Sequence, residues 1–156
     1  MTSRLRLLLG GLVLLFVALQ FVPVDRSNPP VSREVRWASP ETRALAQRAC
    51  FDCHSNETVW PWYAYVAPVS WRVAGHVEDG RRHLNFSAWD QPNEDADEVE
   101  EVLREGEMPL WDYVLLHPEA RLTGAETEAL IEGLRATFAA DPPVPRRRSA
   151  SPEPGS

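Results

Sequence analysis

Cys50, Cys53 and His54 stand in the order C-x-x-C-H, inside "CFDCHSNETVWPWY". Thiols at i and i+3 of a helical turn project the same way. A c-type haem needs that arrangement, because its two vinyl groups lie on one edge of the porphyrin and each thiol adds across one of them. The next residue then swings beneath the macrocycle, where imidazole Nε2 can bind the iron from the proximal side. Other chemistries fit less well. A structural zinc site takes four ligands, usually as two such pairs, and beyond Cys50, Cys53 and His54 the chain offers only His76, His83 and His117, none at knuckle spacing. A thioredoxin-like dithiol belongs in a βαβ setting and has no use for the histidine. A disulfide closing so small a loop stabilises little. The cofactor this spacing predicts is haem c, covalently attached.

A haem that carries electrons usually closes its sixth position with Met or His. Met108, in "EGEMPLWDY", is the one methionine besides the initiator. Pro109 after it disfavours helical geometry and stiffens the loop, which suits a ligand reaching across a haem face; packing in a core is the alternative role. His76 is the rival ligand. His83, among Arg81, Arg82 and Asn85, reads as solvated or beside a propionate, and His117, before Pro118, as a surface residue. Arg72, Arg81, Arg82, Asn85 and Trp62 are candidate propionate donors. The run Trp60, Trp62, Tyr63, Tyr65 and Trp71 would flank a planar apolar cofactor or serve as core.

These residues need elements to hold them. Ser39-Pro40-Glu41 supplies a cap, a proline at the first helical position and an acid in the first turn, so a helix is predicted from Pro40 to the cysteines. Pro68 starts a second helix, with Val69, Val73 and Val77 on one side and Gly80 closing it. A third runs from an Asn93 cap to Gly106, its acids crowding the positive end of the helix dipole. A helical turn is expected from Trp111 to Leu116. Thr123 and Glu126 form a capping box for a last helix through Phe138, with Leu130, Leu134 and Phe138 along one stripe. No strand or internal repeat is evident, so the fold class is all-α.

Ahead of this domain, Arg4 and Arg6 precede an apolar run from Leu7 to Val22 with no small-x-small cleavage site after it. It reads as an uncleaved anchor, with the rest of the chain outside because positive charge stays on the cytoplasmic side. The predicted organisation is an N-terminal membrane helix over 1–24, a linker over 25–38 holding the domain off the membrane, the haem domain over 39–140 and a disordered tail over 141–156. A net charge of -7 argues against nucleic acid, whose phosphates need a basic face.

The blocks "CFDCHSNETVWPWYAYVAPVSW", "HVEDGRRHLNFSAW" and "EGEMPLWDYVLLHPEARLT", in this order between Val35 and Phe138, resemble the bacterial haem-binding domain family of small c-type cytochromes. The resemblance implies a cytochrome-c-like helical domain, exported and tethered at its N-terminus. It also implies thioether links at Cys50 and Cys53, His54 as proximal ligand and Met108 as the distal one. The expected role is a monohaem electron carrier, without chemistry of its own, between redox partner proteins on the periplasmic or outer side of a bacterial inner membrane. A peroxide or gas enzyme or sensor with a displaceable distal ligand is the alternative, and a haem serving only as a folding staple is a third possibility.

Overall fold

The computed structural model describes residues 3–93 and 95–145. Its first helix, α1 (Ser3–Leu19), buries none of its residues. It ends where Gln20 turns its amide onto the backbone of a distant segment, accepting from the Ala67 N–H at 2.9 Å and donating to the Ala67 carbonyl at 3.3 Å. The apolar run therefore leaves the helix before Val22. At 17 residues α1 is about 25 Å long, and among the described residues no helix is long and apolar enough to cross a membrane.

The segment expected to be a free spacer is bound along its length. Extended backbone must find partners, and these prolines leave carbonyls that accept: Asn56 Nδ2 donates to the Pro30 carbonyl at 3.1 Å. Asn28 Nδ2 donates to the Thr58 carbonyl at 2.9 Å, and the N–H groups of Ser32 and Val35 donate to the carbonyls of Ser87 and Phe86 at 3.1 Å each. Val35, only 2% exposed, belongs to the core.

The capped helices form where their signals lie. Ser39 Oγ accepts from the Thr42 N–H at 3.1 Å and opens α2 (Pro40–Ala49), which passes through Cys50 into the single turn α3 (Phe51–His54). α4 (Val69–His83) runs beyond Gly80, so that glycine lies inside the helix rather than at its end. Of the valine stripe only Val77 is buried. α5 (Val99–Arg104) starts later than predicted, because Asn93 is committed elsewhere: its buried side chain accepts from the Asn85 N–H at 2.7 Å and donates to the Gln91 carbonyl at 2.9 Å. α6 (Trp111–Leu116) is the expected turn, and α7 (Gly124–Ala140) opens on the complete Thr123/Glu126 capping box.

α7 lies so close to α2 that a Cβ built on Gly133 would fall 2.9 Å from the Cβ of Thr42. Leu130, Ile131 and Leu134 of α7 meet Val35, Phe51, Phe86 and Trp89 in the core. Trp37 packs on Phe86 at 5.0 Å, and Trp89 stacks on Phe138 at 5.1 Å. Among the described residues the only β pairing is two isolated bridges, Arg33 with Ala88 and Pro92 with Val144, as an all-helical domain requires. Packing continues where the tail was expected to begin: Asp141 is 5% exposed, and both its carboxylate oxygens accept from Arg33 NH1, at 3.1 and 3.0 Å. The rest of that tail, 146–156, lies outside the described residues.

Candidate cofactor site

α3 and α4 meet through Gly80. A Cβ at that position would stand 2.5 Å from the Cys53 carbonyl oxygen, which as backbone cannot turn aside, so only glycine lets the helix lie against the C-x-x-C-H turn. Beside this contact is a cavity of about 410 Å³, whose wall includes Cys50, Cys53 and His54 from the α2–α3 turn, His76 from α4 and Met108 from the loop after α5. The four residues singled out by the sequence thus line one cavity, together with the rival histidine. Leu84, Phe86, Leu103, Leu110 and Leu134 supply its apolar surface, and the size suits a compact, largely apolar ligand, since such pockets measure about 300–1,000 Å³.

His54 Nδ1 lies 3.0 Å from the Leu84 carbonyl oxygen. A carbonyl only accepts, so Nδ1 carries the proton and Nε2 keeps its lone pair. Burial pushes the His54 pKa below the usual imidazole value, against the opposing pull of that hydrogen bond, and keeps the ring neutral as a metal ligand must be. Both thiols are free. Burial, with Cys53 as neighbour, pushes Cys50 up to about 12. Burial and the charge of Asp52 push Cys53 up to about 11, against Arg81. A redox dithiol needs the opposite shift, toward thiolate.

Tyr113 also lines the cavity; its hydroxyl donates to Asp52 Oδ2 at 2.7 Å, while Asp52 Oδ1 accepts from the Val59 N–H at 2.9 Å. Burial, then the hydrogen bond to Asp52, raises the pKa of Tyr113. His117 is not the surface residue expected. Its side chain is 18% exposed, stacks on Tyr113 with centroids 4.4 Å apart, and has Nε2 2.7 Å from the Tyr63 hydroxyl. His83 stands at the rim, half exposed, with Nδ1 2.6 Å from Asp95.

Two groups of expected contacts are absent from the wall. The aromatic run faces elsewhere: Trp62 is 78% and Tyr65 59% exposed. The suggested propionate donors are already engaged. Arg81 binds the carbonyls of Ser55 and Ser27 at 2.8 and 2.9 Å and the Asn28 side chain at 2.8 Å, Arg72 pairs with Asp112 at 2.6 Å, and Asn85 holds Asn56 at 2.9 Å. Gly80 and Tyr113 are the functional neighbours the sequence reading missed. A glycine within a valine-periodic helix could have flagged the first; nothing local marks the second.

Among the described residues no three His, Cys, Asp or Glu side chains are grouped to hold a bare metal ion. One neutral imidazole, one thioether and two neutral thiols on an apolar wall suit a metal that brings its own macrocycle. A model of the haem-binding domain family matches residues 14–136. The chain belongs to that family. The match takes in both sides of the cavity, from the Cys50–His54 turn to Met108, and makes haem the ligand of this haem-binding domain. No curated protein and no solved structure matches the chain.

Proposed function

We propose that this haem-binding domain is a monohaem c-type cytochrome, joined to its haem by thioethers at Cys50 and Cys53, with His54 as proximal and Met108 as distal ligand. The observation that carries the reading is the shared cavity, in which His54 Nε2 is left free by the Leu84 hydrogen bond. A haem held there supplies a one-electron couple at its iron. The chain fixes the imidazole through Leu84, holds both thiols neutral beside the same cavity, and excludes water with Leu84, Phe86, Leu103 and Leu134. The exposed apolar α1, with Arg4 and Arg6 in its first turn, supports a tether that enters the bilayer from the outer side, where redox partner proteins would exchange electrons with the domain. The test is covalency. Protein matured where haem-attachment machinery operates keeps its colour through acid-acetone precipitation and gives a c-type pyridine haemochrome; colour passing into the organic phase overturns the reading.

One observation favours a second function. Met108 is 36% exposed, on a loop that turns through Gly106 at φ +74°. A ligand so placed is displaceable, and a domain that gave it up would bind peroxide or a diatomic gas.

A further inference from the structure

The domain exposes apolar residues at several places, Val59, Trp111, Leu115 and Leu116 among them, and one group stands beside the end of α1. Trp62 (78%), Tyr65 (59%), Val69 (44%) and Trp71 (38%) occupy the 3₁₀ turn Trp62–Tyr65 and the start of α4, on either side of Ala67. Ala67 is the residue whose N–H and carbonyl are both taken by Gln20 at the end of α1. A second link lies one turn further on: Arg26 NH1 donates to the Ala64 carbonyl at 3.3 Å, and its guanidinium lies 4.6 Å from the Tyr65 ring centroid. Between these links Phe21 and Val22 are 82% and 47% exposed. The apolar surface of α1 therefore continues through Phe21 and Val22 toward the aromatic turn.

We infer that this aromatic face lies in the headgroup layer of the bilayer that α1 enters, so that the haem domain is held on the membrane at a fixed orientation. The inference rests on the reading of α1 as a membrane tether. Tryptophan and tyrosine favour that layer because an apolar ring and a polar N–H or O–H meet their two environments there. A basic side chain beside them fits its anionic lipids, and Arg26 occupies that place. The alternatives, a redox protein or a second copy, would cover the face without regard to α1. The Gln20–Ala67 link, by contrast, brings the face to the end of the apolar helix.

Full-length holoprotein labelled with 5-fluorotryptophan, in nanodiscs of anionic lipid holding one copy each, tests this by ¹⁹F NMR with and without headgroup spin-labelled lipid. Trp62→Phe and Trp71→Phe assign the signals. The expected result is loss of the Trp62 and Trp71 signals to paramagnetic broadening, while Trp89, fully buried, keeps its own. Gln20→Ala should restore both signals with the protein still in the disc. Unbroadened Trp62 and Trp71 signals in a disc-bound wild type overturn the inference and leave the tether intact. Release of the wild type from anionic vesicles by alkaline carbonate removes the tether itself, and the inference with it.

Discussion

The turn that carries Cys50, Cys53 and His54 and the loop that carries Met108 both line the cavity, and they are built differently. Around the Cys50–His54 turn nearly every polar group is paired in the interior: Phe86 donates to the His54 carbonyl at 2.9 Å, Asn85 Nδ2 to Asn56 Oδ1 at 2.9 Å, the Ser87 N–H to Asn85 Oδ1 at 2.9 Å, and the Asn56 N–H to Ser87 Oγ at 3.0 Å. Gly80 closes this side by direct contact with the Cys53 backbone. Met108, by contrast, sits on a turn between two helices of six residues each, its N–H reaching the Val102 carbonyl at 3.3 Å. Buried, mutually satisfied groups fix one geometry, because any displacement strands several of them at once; a turn held by one or two exposed bonds can reopen at little cost. The residues that would bond covalently lie on the fixed side, and the one that would let go lies on the loose side.

Gly80→Val tests the fixed side most severely. The new side chain must displace either α4 or the Cys53 carbonyl, so we expect a cost of about 3 kcal/mol or more in stability and a matching fall in covalent haem per chain. Normal maturation and an unchanged melting temperature would show that the α3–α4 contact is not what shapes the site. Asn85→Ala comes next, at about 1–3 kcal/mol, because it leaves Asn56 Oδ1 and the Ser87 N–H unpaired in the interior; the loss is read by denaturant unfolding. Asn85→Asp, which keeps an acceptor for Ser87 but loses the donor to Asn56, should recover only part of it.

Met108→Ala sharpens the other half of the contrast. It should cost only about 1 kcal/mol in stability and leave the haem attached, while abolishing the near-infrared thioether band and opening the iron to cyanide. If the wild type lacks that band and His76→Ala turns it high spin, His76 is the ligand instead. The smallest effect is expected at the capping box of α7. The Thr123 N–H and Arg48 hold Glu126 down at about 2. Between its ordinary 4.5 and that value the unfolded chain binds more protons, so this contribution is complete above about 4.5 and disappears as pH falls toward 2. Glu126→Gln should flatten the melting temperature against pH in that window alone.

How much of this could be read from the residues follows the range of the forces involved. Ser39, Pro40, Thr123 and Glu126 act within one turn, and α2 and α7 begin where they lie. C-x-x-C-H is equally local. Asn93 failed as a cap because a distant group, the Asn85 N–H, claimed its side chain, and Gly80 read as a stop because its partner, Cys53, lies on another helix. Prolines and alternating charge suggest a linker standing off the domain, yet Arg81 and the Ser87 and Phe86 carbonyls bind it. The aromatic run reads as flanking the cofactor or as core, and ring content says nothing of direction; Phe86, Leu103 and Leu134 line the cavity instead.

Asp141 has a bearing on time as well as on packing. Its carboxylate holds Arg33, 108 positions earlier in the chain, and its carbonyl accepts from the buried Trp89 indole at 3.0 Å. Contacts of such long sequence separation form slowly, and none of these can form until nearly the whole domain has been synthesised. Cys50, Cys53 and His54 emerge some ninety residues before it, so during synthesis the C-x-x-C-H turn is presented on a chain that cannot yet close over it.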